Sequence, residues 1–225
     1  MSEPVLQAQS LGKSVMVAGQ PLTILHPLQL SLKAGDSLAI VGRSGSGKST
    51  LLGLLAGLDL PSTGEVILAG HGLNGLDEDQ RAALRAQQVG FVFQSFQLLD
   101  SLNALENVML PLELKNRRSA RQQAVSLLRQ VGLEQRMHHY PRQMSGGEQQ
   151  RVAIARAFAA EPKILFADEP TGNLDSQTGE HITDLLFDLN YQQGTTLVLV
   201  THDERLAERC ARHIRLEAGH ITERS

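Results

Sequence analysis

One cysteine, Cys210, is all that the 225-residue chain contains. A lone thiol cannot form a disulfide within the chain, so the disulfide-stapled secreted class is excluded and a reducing compartment fits. Aromatic residues are also scarce, with six Phe, two Tyr, no Trp, and none of the three before Phe91. Neither charge sign is in marked excess: Lys and Arg number 21 against 24 Asp and Glu, a formal net charge of -3. No global positive field therefore points to nucleic acid as a partner. Arg117, Arg118 and Arg121 form a short basic run that reads as a solvated helix face. No apolar run approaches the roughly 20 residues of a membrane span; Leu51–Leu58 is ended at once by Asp59. The opening Met1-Ser2-Glu3-Pro4 lacks the basic-then-apolar layout of a secretion signal. These absences predict a soluble, cytoplasmic protein whose membrane work, if it has any, passes through another chain.

What is present in quantity is ordinary globular material, 41% hydrophobic and 20% charged, enough for one α/β domain with a subdomain. The most specific stretch is Gly42-Arg43-Ser44-Gly45-Ser46-Gly47-Lys48-Ser49, which meets every fixed position of the phosphate-cradling pattern G-x-x-x-x-G-K-[S/T]. The glycines let successive backbone N–H groups turn toward one small volume. Lys48 is placed to reach the β- and γ-phosphates, and the Ser49 hydroxyl to ligate Mg²⁺. Thr50 adds a hydroxyl in the first turn of the following helix, where the dipole favours anions. The flanks agree: Ser37–Val41 reads as a buried strand and Ser49–Leu58 as an apolar helix. The motif predicts that the chain binds a nucleoside triphosphate.

Short alternating runs over residues 5–32, and a strand over Glu65–Ala69, predict a β-rich flank. A helix is expected after the cap Asp77, with Gln80 three residues on, followed by a strand over Val89–Phe93. Helical patterns then dominate: Asn103–Leu114, then Ser119–Val131 capped by Ser119 and stopped by Gly132, then a helix from Gly146 to Ala160. Strand and helix alternate afterwards, over Ile164–Ala167, Ser176–Leu189, Thr196–Val200 and Asp203–Ala211. The expected fold is α/β, a P-loop NTPase core with a mostly parallel sheet, an antiparallel β flank and an inserted helical subdomain. The expected partition is one domain over 1–225, with a nucleotide-binding core at about 1–94 and 160–225 and a helical subdomain at about 95–159.

Lys163–Ala167 is an apolar stretch that ends in two acids, Asp168 and Glu169. Taken alone this is a strand running into a solvated turn. Ligands of α/β sheets gather at the carboxyl ends of strands, so beside a phosphate loop the pair reads as functional. Asp168 then holds the Mg²⁺ shell, and Glu169 orients or deprotonates the attacking water. Met144-Ser145-Gly146-Gly147-Glu148 places a hydroxyl and two glycines at a helix N-terminus. That is either an ordinary Ser cap or a second anion cradle.

Together these residues resemble the nucleotide-binding subunits of ATP-binding-cassette (ABC) transporters, over essentially the whole chain. The loop at 42–49, Gln94, Ser145–Gln149, Asp168-Glu169, Asp175 and His202 follow the family's order. The resemblance implies an ATPase that uses ATP and Mg²⁺ and pairs head to tail with a second copy. Ser145, Gly146 and Gly147 of one copy then close over the γ-phosphate held by the other, which accounts for the second cradle. It further implies that Gln94 joins the Mg²⁺ and water shell, that Asp175 communicates across the dimer, and that His202 touches the γ-phosphate and keeps Glu169 and water in register. His202 also follows the apolar strand Thr196–Val200, unlike His71, His138, His139, His181, His213 and His220, which read as ordinary surface or core residues. One departure from the pattern that the resemblance implies is the missing adenine-stacking aromatic; the equivalent position lies near Val15, in Gly12-Lys13-Ser14-Val15-Met16.

Glu169–Ser176 and Ala104–Leu112 narrow the resemblance to the lipoprotein-releasing, macrolide-efflux and cell-division ATPases, stand-alone subunits of that branch included. The branch implies an integral membrane permease with a large periplasmic domain, a possible periplasmic partner, and a place on the cytoplasmic face of the inner membrane. A regulatory ATPase that drives a periplasmic enzyme through its permease is the alternative within it. A chromosome-maintenance ATPase is excluded because no sustained heptads lie between Lys48 and Ser145. The segment after Gln94 carries Phe96, Leu98, Leu99 and Leu102, an apolar cluster in a loop that either packs the helical insert or, as the resemblance implies, forms a docking surface for the permease.

Overall fold

The computed structural model describes residues 3–224. Met1 and Ser2, part of the stretch read for a secretion signal, lie outside them, as does Ser225. The chain forms two compact units: residues up to Arg85 together with those from Gly194 onward, and Ala86–Gln193.

In the first unit, β1 (Leu6–Val17) and β2 (Gln20–Leu32) form an antiparallel hairpin. Its two-residue turn, Ala18-Gly19, has φ of 50° and 81°, the positive pair that matches the natural twist of two strands. β4 (Thr63–Leu68) pairs with the other side of β1, and the short β5 (His71–Gly72) completes the order β2-β1-β4-β5. Leu28, Leu30 and Leu32 are buried at every second position of β2, as expected of a sheet covered on one face.

β3 (Ser37–Val41) is buried from Leu38 onward. Such a continuous apolar run belongs to a central strand covered on both faces. It lies between parallel neighbours β8 (Thr196–Thr201) and β9 (Arg212–Glu217), and β10 (His220–Arg224) returns antiparallel to β9. The helix α1 (Lys48–Leu55) leaves the loop after β3, and α7 (Glu204–Glu208) joins β8 to β9. The chain end departs from the sequence reading here. The helix expected over Asp203–Ala211 stops at Glu208, and Ala211 N–H donates to Ser37 Oγ (2.8 Å), which starts β9. β9 and β10 escaped the reading because only Ile214 and Leu216 of β9 are buried, among charged neighbours.

The second unit contains β6 (Val89–Phe93) parallel to β7 (Ile164–Asp168), with α3 (Ala104–Leu114), α4 (Ala120–Gln130), α5 (Gly146–Ala159) and α6 (Ser176–Gln193). α2 (Glu78–Gln88) spans the boundary between the units and opens with the reciprocal Asp77–Gln80 cap. α3 opens with a similar box between Asn103 and Glu106. Ser119 does precede α4, yet its side chain makes no capping bond. α5 is Ala-rich and buried nearly all round from Val152 to Ala159, as a helix at the centre of a packed unit must be. Among the described residues, no helix is long and apolar enough to cross a membrane.

Candidate functional site

In the first unit, Val41 of β3 is in register with Thr201 of β8. The loop from Gly42 and the residue His202 therefore leave the same end of adjacent parallel strands. Gly45 and Gly47 take φ of 78° and 102°, values that a side chain would resist. Gly47 is also the N-cap of α1 and supplies no side-chain cap, so the first-turn N–H groups remain available to an anion. Lys48 is buried, and its Nζ donates to the carbonyls of Gly42 (2.8 Å) and Arg43 (3.0 Å), curling across the loop. Ser46 Oγ is buried without a hydrogen-bond partner; an orphaned polar atom in such a loop points to a ligand. Ser49 is exposed on the first turn of α1, and Thr50 follows half-buried. Arg43, Ser44 and Gly45 are exposed along the rim.

This loop is gripped from both sides. A β-carbon on Gly47 would meet Leu25 Cδ2 at 2.9 Å and the Ile24 carbonyl at 3.1 Å. On the other side, Gly219 N–H donates to the Ser46 carbonyl (3.1 Å), and the Gly219 carbonyl accepts from His26 N–H (2.9 Å). The rings of His26 and His220 stack with centroids 3.7 Å apart. The β9–β10 turn and β2 thus hold the loop in shape by backbone contacts that the sequence reading did not foresee. His202 is exposed, and its turn is fixed by Asp203, whose N–H donates to Thr201 Oγ1 (3.0 Å) and whose carboxylate accepts from Arg205 N–H (2.9 Å).

In the second unit, Phe93 of β6 is in register with Asp168 of β7, so Gln94 and Glu169 leave adjacent strand ends. Glu169 has φ of 47°, a left-handed conformation costing a non-glycine residue on the order of 1 kcal/mol. Gln94 Nε2 donates to Asn173 Oδ1 (3.0 Å), and Asn173 Nδ2 returns a bond to the Gln94 carbonyl (3.0 Å). Arg156, from α5, donates to the carbonyls of Phe96 (3.1 Å) and Gln97 (2.6 Å), both in left-handed conformations. Burial pulls the Arg156 guanidinium below its ordinary pKa. Neither Asn173 nor Arg156 was marked by the sequence, although a lone Arg in the Ala-rich tail of α5 was a usable signal.

Ser145 caps α5 through a reciprocal box: its Oγ accepts from Glu148 N–H (3.3 Å), while Glu148 accepts from Ser145 N–H (2.8 Å). That bond from the Ser145 backbone is the main cause holding the Glu148 carboxyl below its usual range. Capping uses the hydroxyl as an acceptor and leaves its O–H to donate, so the cap and the second cradle are compatible. A β-carbon on Gly147 would lie 2.5 Å from Thr178 Cγ2, so the starts of α5 and α6 approach closely. A cavity of about 330 Å³ is lined there by Ser145, Gly147, Arg151, Asp175 and His181. Asp175 accepts from Thr178 N–H (2.9 Å), and bonds from the Thr178 side chain and backbone hold its carboxyl low. The structure thus gathers the glycines at 146–147 and Asp175 around one cavity, with His181 as a further lining residue.

The first unit offers the Ser49 hydroxyl, and the second the Gln94 amide oxygen and the Asp168 carboxylate. Such all-oxygen donors suit Mg²⁺, which keeps several waters and takes few protein ligands. No cluster of three His, Cys, Asp or Glu able to hold a metal occurs among the described residues.

Residues 25–172 match the family model described as ABC transporter. The chain is 56% identical over 224 residues to YbbA of Escherichia coli K12, described as an uncharacterized ABC transporter ATP-binding protein, covering 99% of this chain and 98% of that one. It is 49% identical to the lipoprotein-releasing system ATP-binding protein LolD of Hydrogenovibrio crunogenus, covering 98% and 97%. Among solved structures it is similar to the dimeric post-hydrolysis state of the ATP-binding cassette MJ0796 bound to ADP and Pi, with a TM-score of 0.90 and 42% identity over 98% of this chain and 97% of that one.

Proposed function

This chain belongs to the ABC transporter family, and we propose that it is the ATP-hydrolysing subunit that drives a separate membrane permease. As a cassette of this family it binds ATP and is an ATPase. The observation that carries the reading is the phosphate loop itself: a buried ammonium and an orphaned hydroxyl enclosed by a ring of glycine-rich backbone.

In the proposed chemistry the backbone N–H groups of Gly42–Thr50 hold the phosphates, and Lys48 neutralises the β- and γ-oxygens. Ser49, Asp168 and Gln94 would hold Mg²⁺, which would supply charge neutralisation on the phosphate oxygens. Glu169 accepts a proton from water as its oxygen attacks the γ-phosphorus, and the bond to the ADP oxygen breaks with that electron pair. His202 donates to the γ-phosphate and fixes the water. Ser145, Gly146 and Gly147 of a second copy complete the phosphate cage, and Asp175 reports its occupancy across the interface. The dimeric MJ0796 cassette supports pairing, and the transporter and releasing-system names of the relatives support a permease partner. From the branch that the sequence resembles, we further propose that the permease has a large periplasmic domain and that the subunit works at the cytoplasmic face of the inner membrane.

Glu169→Gln tests the reading. The variant should bind ATP, lose most turnover and accumulate as an ATP-dependent dimer, because one fewer carboxylate charge lowers repulsion where the copies close. Hydrolysis at the unaltered rate would remove Glu169 from the mechanism.

A further inference from the structure

We infer that Asn173 is a positioning residue that sets which end of the Gln94 amide faces the metal and the attacking water. The inference rests on the reading of Gln94 given above. A glutamine amide has two unlike ends: the oxygen accepts or ligates, whereas the NH2 group only donates. A Gln94 free to flip would often present the wrong one. Asn173 removes that freedom with two hydrogen bonds to one residue, accepting from Gln94 Nε2 and donating to the Gln94 carbonyl, each at 3.0 Å. The Gly172 backbone also lies against the amide, since a β-carbon there would be 2.9 Å from Gln94 Nε2. With Nε2 committed to Asn173, Oε1 is the end presented to a ligand.

The placement of Asn173 gives the contact a second consequence. Asn173 lies in the short segment between Glu169 and Asp175, a segment pinned by Gly172 N–H on the Glu169 carbonyl (3.0 Å) and Leu174 N–H on the Thr171 carbonyl (3.1 Å). A displacement of Asp175 by a second copy therefore drags the Gln94 amide with it. Gln94 also opens the loop that Arg156 fastens to α5. The pair links the acid segment, the dimer-facing aspartate and the helical region through groups that all belong to one compact unit.

Both side chains are exposed, so truncating Asn173 should leave the fold and its melting temperature in place. The experiment is a double-mutant cycle on the full chain, with Gln94→Ala, Asn173→Ala and the double variant. Asn173→Ala should lower kcat by about tenfold with KM for ATP within about twofold, and should have no further effect in the Gln94→Ala background. Asn173→Asp, which keeps the acceptor and loses the donor, should fall between. Without nucleotide, the Gln94 side-chain amide protons, followed by ¹⁵N NMR, should exchange faster with solvent in Asn173→Ala. An equal loss of kcat in the Gln94→Ala background, or unchanged Gln94 amide exchange, overturns the role of Asn173. An impaired Gln94→Ala beside an unimpaired Asn173→Ala does the same and leaves Gln94 standing. A Gln94→Ala that turns over at the unaltered rate overturns the reading of Gln94 and the proposal with it.

Discussion

Gly42 passes so close to Leu216 that a β-carbon at residue 42 would lie 2.3 Å from the Leu216 carbonyl oxygen and 2.8 Å from Ser46 Oγ. The phosphate loop is thus shaped by a backbone carbonyl of β9, near the far end of the sequence. Gly42→Ala must displace either the loop or the strand, because the obstructing Leu216 carbonyl belongs to β9, which is paired with both β3 and β10. Its nucleotide affinity should fall by more than about tenfold, with a lowered melting temperature, both read by titration of a fluorescent ATP analogue and by thermal unfolding. Gly45→Ala is the contrast. Nothing lies within 4 Å of its added carbon, so it meets only the cost of a left-handed φ, on the order of 1 kcal/mol. A Gly42→Ala protein that bound and melted like Gly45→Ala would mean that the β9 contact does not shape the loop.

Base selectivity should be weak. Val15, near the position where the family resemblance implies a stacking ring, pairs with Leu22 on the β1–β2 hairpin; the two are 37% and 50% exposed. An aliphatic surface offers no preference among purines, so ATP and GTP should compete with affinities within about tenfold, or 1.4 kcal/mol. Val15→Tyr should tighten both by a stacking gain of about 1 kcal/mol. A hundredfold preference for ATP in the unaltered protein would show that another group reads the base.

The apolar loop after Gln94 separates docking from packing. Leu99 is 46% exposed, whereas Phe96, Leu98 and Leu102 are half-buried. Asn107, fully buried on α3, accepts from Leu99 N–H (2.9 Å) and donates to the Leu102 carbonyl (2.9 Å), so the loop is held by its backbone and not by the Leu99 side chain. Leu99→Glu should keep basal ATPase activity and the melting temperature while lowering association with the permease and permease-stimulated turnover. Unchanged association in a pull-down with the co-expressed permease would put the docking surface elsewhere.

Burial pushes the Cys210 thiol up to about 12. At pH 8 the native thiol should resist iodoacetamide and react once guanidinium unfolds the chain. The linkage has a definite sign. The folded state keeps its proton where the unfolded thiol, near pH 8.5, has lost it, so unfolding is coupled to proton release in that window. This contribution to stability is complete below about pH 8.5 and is lost progressively as pH rises toward 12. Cys210→Ser should flatten that part of the pH–stability curve measured by denaturant midpoint. Rapid labelling of the native protein at pH 8 would contradict the burial.

The sequence by itself determined the elements whose physics is local. A phosphate loop needs glycines and a lysine at fixed neighbouring positions, because successive backbone N–H groups must point at one ligand; residues 42–49 therefore announce it. The caps at Asp77 and Ser145 close hydrogen bonds over three residues, and the sequence shows both, whereas Asn103, read as the start of its helix, is the cap. The strands over Ser37–Val41 and Ile164–Asp168 are legible because burial on both faces leaves a continuous apolar run. Tertiary structure alone decided what depends on residues far apart in the chain. β9 is a strand because β3 offers it a partner, and its charged half-pattern gives no such signal. The grip of Leu216 and Gly219 on the phosphate loop, the stacking of His26 on His220, and the pairing of Gln94 with Asn173 across 79 residues are of this kind. Each depends on a distance set only when sheets and loops close, and the amino-acid types alone carry no trace of that distance.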